Sequence, residues 1–358
     1  MPQLQELGNH SPDPWRGGRV TSVSLIVEWM IGNLVLSLLG VRLAITYARS
    51  RSLLDQPGRR RSHRIPTPRG GGIGIVIAMA ACLAVMGWHL AATWLFAALA
   101  CMVLVALVGW WDDHHALPAL PRLVAHLAAS AGFSVVLLGT DLPMWWLLLL
   151  VPAGAWSINL HNFMDGIDGL LAQQTLFVAL GLAVLATSAH VLPLAVASAA
   201  LATAALGFWY FNRPPARIFM GDVGSGAVGF LIFAFSAALW RLDHALVWPS
   251  LILSSAFVVD ATLTLLTRIS RGRRWYGAHR EHLYQWLARR QRSHASVDGG
   301  YMLWNVLIAA PLAWLALSHL RWALPITIIV YVLAATAWFA LKHRCLQRHP
   351  AKDRHVAA

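Results

Sequence analysis

Asn212-Arg-Pro-Pro-Ala-Arg-Ile-Phe-Met-Gly-Asp-Val-Gly-Ser225 separates two long apolar runs, Val191–Tyr210 and Gly224–Trp240. Its one carboxylate, Asp222, stands between Gly221 and Gly224. Pro214 and Pro215 cannot continue a helix, because each lacks an N–H and its ring meets the preceding turn. The stretch therefore reads as a connection, with the chain returning to a helix near Asp222 or Ser225, either of which is a residue type that caps a first turn. A helix start built of small residues and a carboxylate suits a metal ion and a phosphate held together. An ordinary interhelical turn with an aspartate cap accounts for these residues equally well, so the decision rests on what surrounds them.

Outward from that stretch the chain is apolar. Of its 358 residues 58% are hydrophobic and only 12% charged, and the mean hydropathy is +0.59. Such values exclude a soluble domain and predict an all-α polytopic membrane protein. Eleven runs are long enough to cross the hydrocarbon core: Thr21–Tyr47, Gly71–Trp88, Ala91–Trp110, Leu120–Leu138, Met144–Ile158, Leu170–Ala186, Val191–Tyr210, Gly224–Trp240, Leu246–Thr267, Tyr301–Leu317 and Trp322–Leu341. Leu170–Tyr210 is divided at Thr187-Ser-Ala-His190, because one helix of that length would overshoot the bilayer. Residues 1–20 are polar and expected to be a disordered tail, residues 21–341 one membrane domain, and residues 342–358 a C-terminal tail. The first apolar run lacks a small-residue cleavage site and reads as a retained helix.

The net charge is +13 and the pI near 10.9, but the basic residues sit in short loops beside apolar runs, so nucleic acid is not the expected partner. Loops after odd-numbered spans hold Arg49, Arg51, Arg59, Arg60, Arg61, Arg64, Arg69, Arg122, Arg213, Arg217 and the arginines of 268–292, whereas the opposite face keeps Arg16, Arg19, Arg241 and Arg321. This asymmetry predicts a periplasmic N-terminus and a cytoplasmic C-terminus. The long loops are then cytoplasmic, over 49–70, 110–120, 159–170, 211–224 and 268–300, and the outer ones are too short for a site. Cys82 and Cys101 lie in apolar runs and Cys345 in the tail, which gives neither a disulfide framework nor a CxxC site.

Of fifteen Asp and Glu, five fall in three of these loops. Gly109-Trp-Trp-Asp-Asp-His-His115 ends the third span. Adjacent Asp112 and Asp113 repel unless a divalent cation or a basic neighbour offsets them, or unless they are a solvated helix end. Arg122 and His126 follow four apart on one helical face, placed to meet an anion or to snorkel. Asn159-Leu-His-Asn-Phe-Met-Asp-Gly-Ile-Asp-Gly-Leu170 carries Asn162, Asp165 and Asp168, where helix ends usually hold one polar group. Ser62-His-Arg-Ile-Pro-Thr-Pro-Arg-Gly-Gly-Gly72 joins cations to a glycine run whose free N–H groups could form an anion nest, although membrane anchoring explains the cations as well. In Ala278-His-Arg-Glu-His-Leu-Tyr-Gln285, His279 and His282 are suited to phosphate oxygens or metal, but the spacing is poor evidence for zinc. Asp260 lies about 12 Å along the helix before Arg268, deep enough that it should face the bundle interior, orienting the histidine loop or pairing with an arginine.

These five stretches, in this order, resemble the polyprenyl-phosphate N-acetylhexosamine-1-phosphate transferases, over most of the chain from about Leu53 to Gln285. The resemblance implies Mg²⁺-dependent transfer, with Mn²⁺ as a substitute ion, of N-acetylhexosamine-1-phosphate from a UDP-sugar to undecaprenyl phosphate, releasing UMP and initiating an O-antigen or another cell-envelope polysaccharide. By it, Asp222 matches the principal metal ligand, and Asp112 the carboxylate that deprotonates or positions the lipid phosphate, with Asp113 beside it. Asn162, Asp165 and Asp168 match positions near the nucleotide and diphosphate, Phe219 the ring that stacks on uracil, and Asn212 a polar group of the same pocket. His279 and His282 match a histidine loop facing the diphosphate, and Arg122 stands where relatives place lysines after the aspartate pair. Arg280 and Glu281 interrupt a motif that often has three histidines, which resembles the O-antigen-initiating branch. The expected setting is the bacterial inner membrane with a cytoplasmic site, surrounded by membrane lipid, and nothing in the sequence stands against a homodimer. A transporter with Asp260 and the inner carboxylates as an ion path is the rival. It would place ionisable groups near the midplane and show an internal repeat, and no repeat is present.

Overall fold

The computed structural model describes residues 23–55, 66–273 and 279–347. The expected N-terminal tail, Arg59 to Arg64 of the first long loop, Ala278 of the histidine stretch, and residues 348–358 of the C-terminal tail lie outside them. Among the described residues the chain is helical except for a pair of two-residue antiparallel strands, β1 (Leu54–Asp55) and β2 (Thr67–Pro68). The helices are α1 (Val23–Ser50), α2 (Ile73–Leu90), α3 (Thr93–His114), α4 (Ala119–Leu138), α5 (Leu147–Met164), α6 (Leu170–Ser188), α7 (Leu192–Asn212), α8 (Asp222–Leu242), α9 (Val247–Leu253), α10 (Ser255–Ser270), α11 (Leu283–Gln291), α12 (His294–Trp304), α13 (Ala310–Ser318) and α14 (Ala323–Gln347). Ten helical stretches are long and apolar enough to cross a membrane, and α9 with α10 makes an eleventh if counted as one span.

The division of 170–210 falls where expected: α6 stops at Ser188, His190 takes a left-handed φ of 58°, and α7 starts with Pro193 in its first turn. The ninth span differs from the expectation of one helix over Leu246–Thr267. It breaks at Ser254, and α9 and α10 are bent by 79°. The Ser254-Ser255 pair at the break is the sequence cause, since paired serines weaken a helix, whereas Pro249 lies in the first turn of α9, where proline is tolerated. The carbonyls near the break are taken by side chains of other helices: Tyr331 Oη donates to Leu251 O (3.1 Å) and Gln174 Nε2 to Leu253 O (3.2 Å). Broken backbone at membrane depth is tolerated where such partners exist.

The two ends of the bundle can be told apart by their contacts. At one end Arg241, closing α8, pairs with Asp141 at 3.0 Å, and Trp146 packs against Trp240 and His244. At the other, Arg268 near the end of α10 pairs with Glu281, and His282 stacks on Phe163 near the end of α5. The bent pair thus carries the chain from one end of the bundle to the other, and the last turns of α3, α5 and α10 share that second end with the first turn of α8.

Helix α8 is the axis of the packing. Every residue from Val223 to Phe235 is buried, against α3, α5 and α6. Small residues make this close approach possible. Ser157 of α5 donates to Gly229 O at 2.7 Å, and a Cβ on Gly72 would collide with the backbone of Gly224.

Candidate active site

The segment before α8 is held in place by backbone pairing. Phe219 N–H donates to Pro68 O (2.9 Å), Gly71 N–H to Phe219 O (2.9 Å) and Gly72 N–H to Met220 O (2.8 Å). The anion-nest reading of the glycine run is corrected here, since the N–H groups of Gly71 and Gly72 are spent on this pairing. The glycines are there because two backbones pass in contact. Arg69, directly before the run, is thereby carried to the start of α8.

Asp222 is the first helical residue and not a cap. The N-cap position is Gly221, at φ 76°, without a side-chain cap hydrogen bond. Both Asp222 oxygens meet guanidinium groups: Oδ1 receives Arg69 Nη2 at 2.7 Å and Oδ2 receives Arg122 Nη1 at 3.0 Å. Arg69 Nε also meets Asp113 Oδ1 at 2.7 Å, and Arg122 Nη1 meets Asp112 Oδ2 at 2.7 Å. The result is an alternating ladder, Asp113–Arg69–Asp222–Arg122–Asp112. It joins α3, α4, α8 and the glycine loop. Asp113 further accepts the N–H groups of Asp222 (2.9 Å) and Val223 (3.1 Å), so it is the residue that caps α8, from another helix.

Asp165 follows the last turn of α5 beside this ladder. Burial, with Asp222 and Asp113 nearby and outweighing Arg69 and a hydrogen bond from the Gly221 backbone, pushes its carboxyl up to about 7. For Arg69, burial disfavours the charge, but Asp113, Asp222 and Asp165 outweigh it and hold the guanidinium firmly protonated. A cavity of about 220 Å³ opens above, lined by Asn162, Asp165, Asp168, Asn212, Phe219 and Asp222 together with Arg69, Asp55, Arg280 and Gln285. Asn162 donates to Ser225 Oγ at 3.2 Å. Asn212 accepts Gly169 N–H and donates to Ile218 O, both at 2.9 Å, tying the cavity's two loops together. Asp168 ties the same loops from the other side, accepting Ala216 N–H at 3.0 Å and meeting His294 Nδ1 at 3.3 Å.

Nine of the eleven residues expected from sequence thus lie in the ladder or the cavity wall. His279 and His282 stand one step away, stacked on each other with ring centres 4.9 Å apart; His282 also stacks on Phe163 at 6.0 Å, and His279 meets the same ring tilted, at 6.3 Å. Burial lowers both imidazoles, that of His279 to about 4, with His282 and Arg268 adding to the effect. Asp260 does orient this loop, and no arginine pairs with it among the described residues. Its carboxylate accepts the N–H groups of Leu283 (2.8 Å) and Tyr284 (3.2 Å), the first residues of α11. Arg69 was the residue least visible in the sequence, one cation among many, and its position before the glycine run was the only signal.

Among the described residues no three acid, imidazole or thiol groups form a ready metal cage. Mg²⁺ asks for no such cage, since one or two carboxylates suffice and water and phosphate oxygens supply the rest. Asp222 with Asp112, Asp113 and Asp165 gives hard oxygen donors in excess of the two guanidinium charges, so the donor set fits such an ion.

Comparison with known proteins finds relatives over most of the chain. The model of glycosyl transferase family 4 matches residues 95–239. The chain is 30% identical over 241 residues to the phospho-N-acetylmuramoyl-pentapeptide-transferase of Chlamydia pneumoniae, covering 57% of this chain and 67% of that one. It is 30% identical over 246 residues to the transferase of that name from Shouchella clausii, covering 61% and 73%. To the decaprenyl-phosphate N-acetylglucosaminephosphotransferase of Mycolicibacterium smegmatis it is 29% identical over 301 residues, covering 71% and 73%. With the family's motifs gathered around one cavity at one end of a helical membrane bundle, the chain belongs to the polyprenyl-phosphate N-acetylhexosamine-1-phosphate transferases of glycosyl transferase family 4.

Proposed function

We propose that this protein transfers N-acetylhexosamine-1-phosphate from a UDP-sugar to undecaprenyl phosphate, with Mg²⁺ or Mn²⁺, at the cytoplasmic face of a bacterial inner membrane. The observation that carries this reading is the five-member ladder of aspartates and arginines at the floor of a cavity that also holds Phe219. The lipid phosphate oxygen attacks the β-phosphorus, a new P–O bond forms, the bond to the bridging oxygen breaks, and UMP leaves. Such a reaction asks the protein mainly to position reactants and to screen charge. A divalent ion held by Asp222 would neutralise charge on the diphosphate oxygens. Arg69 and Arg122 fix the carboxylate geometry before substrate arrives. Asp112, on the outer rung, positions the acceptor phosphate, and Asp165, with a pKa near neutrality, is basic enough to take its proton. Phe219 stacks on the uracil, and His279 and His282 donate to the diphosphate. The product initiates an O-antigen or another envelope polysaccharide. The carboxylates of the ladder and cavity gather at one end of the bundle, the deeper Asp260 is occupied by donors from the fold itself, and the sequence has no internal repeat, which leaves the transporter reading without support.

The test is release of UMP by purified protein from UDP-N-acetylhexosamine donors, with and without polyprenyl phosphate. Release should require both the lipid phosphate and a divalent ion, and Asp222→Asn should abolish it with the fold intact. Near-normal turnover by Asp222→Asn would reject the metal assignment.

A further inference from the structure

Helices α10, α11, α12 and α14 enclose a second cavity, of about 280 Å³, away from the ladder. Its walls are apolar, with Val259, Leu287, Trp304 and Trp338 among them. The polar group at its edge, Asp260, is already occupied by five donors and offers nothing to a polar solute. The cavity opens at Gln291, Ser296 and Leu341, all exposed. From Leu341 to Ala334 it follows α14 for seven residues, or about 10 Å of helix, inward from the end of the bundle that carries the ladder. A chain of methylene groups matches that shape and polarity.

The mouth is basic. Arg290 Nη1 donates to Arg344 O at 3.0 Å, which draws the ends of α11 and α14 together, and Arg292 closes α11. All three arginines are exposed, and among the described residues none forms an ion pair with a carboxylate. Unneutralised arginines over an apolar cavity at a membrane interface match an anionic headgroup joined to an acyl chain. Simple orientation by basic loops would need the charges but not the cavity.

We propose that this is a site for one anionic phospholipid, its phosphate on Arg290, Arg292 and Arg344 and one acyl chain between α10, α12 and α14. The bound lipid braces α11, whose first residues follow His282 and include Tyr284, which donates to Phe163 O at 2.9 Å. The site therefore acts on the histidine loop from behind. It stands independently of which sugar is transferred, or whether one is.

The full chain is reconstituted in nanodiscs of mixed phosphatidylglycerol and phosphatidylcholine, and lipid retained on the released protein is counted by native mass spectrometry. The wild type should keep one phosphatidylglycerol, preferred over phosphatidylcholine by about tenfold or more. Replacing all three arginines, Arg290→Gln, Arg292→Gln and Arg344→Gln, should remove the preference. Ala337→Trp, which fills the cavity and leaves the arginines in place, should remove it too. Equal retention of both lipids by the wild type, or an unchanged preference in either variant, would overturn the proposal.

Discussion

Asp260 offers the sharpest test of how the C-terminal helices support the site. Its side chain, in a residue 1% exposed, accepts from Leu283 N–H, Tyr284 N–H, Tyr301 Oη at 2.8 Å, Trp338 Nε1 at 3.0 Å and Thr264 Oγ1 at 3.2 Å. Asp260→Leu removes every acceptor at once. The two α11 N–H groups lose the equivalent of an N-cap, about 1–2 kcal/mol, and Tyr301 and Trp338 are left as buried unpaired donors at about 1–3 kcal/mol each. Allowing for relaxation, the loss is about 3–6 kcal/mol. Asp260→Asn keeps one carbonyl oxygen, and the Tyr301 hydroxyl can turn to accept from the new amide, so its loss is about half as large. Thermal unfolding in one lipid or detergent should therefore rank wild type above Asp260→Asn above Asp260→Leu. With α11 freed, Tyr284 leaves Phe163 and turnover falls in the same order. Asp260→Leu melting with the wild type would refute the claim that this carboxylate holds the histidine loop.

The raised pKa of Asp165, about 7, sets a pH dependence. Below about pH 3 the carboxyl is largely neutral in folded and unfolded chains alike, between about 4 and 7 the unfolded chain is ionised and the folded one is not, and so stability declines through that window and stays reduced above it. In the absence of divalent ions Asp165→Asn should match the wild type below about pH 3 and exceed it by about 1–2 kcal/mol above pH 7, less than the full shift implies because the side chain is partly open to solvent; a gap independent of pH would contradict this. Gly72→Ala drives a methyl group into Gly224 and should cost about 1–3 kcal/mol or more, whereas Gly299→Ala, inside α12 with open space around it, should be neutral or stabilise by up to about 1 kcal/mol; comparable melting of the two variants would remove the close-contact argument. Phe219→Ala should raise KM for the UDP-sugar about tenfold, the worth of a stacked ring, with kcat little changed, and an unchanged KM would take Phe219 out of the nucleotide pocket.

The sequence alone determined that the chain is a helical membrane bundle, because apolar runs of bilayer length admit few other solutions. It also picked out Asp112, Asp113, Asp165 and Asp222, because carboxylates are costly beside a membrane and are seldom there without a task. Tertiary structure decided how those carboxylates are used. Arg69 reaches the aspartates only because Gly71 and Gly72 let the loop before α2 lie along Phe219 and Met220, a contact across some 150 residues that no local pattern encodes, and Arg122 reaches them from α4. The break at Ser254 is of the same kind. Ser254 and Ser255 permit it, but Gln174 and Tyr331, from other helices, satisfy the carbonyls near it, and hydrogen-bond partners distant in the chain become visible only when the helices are packed.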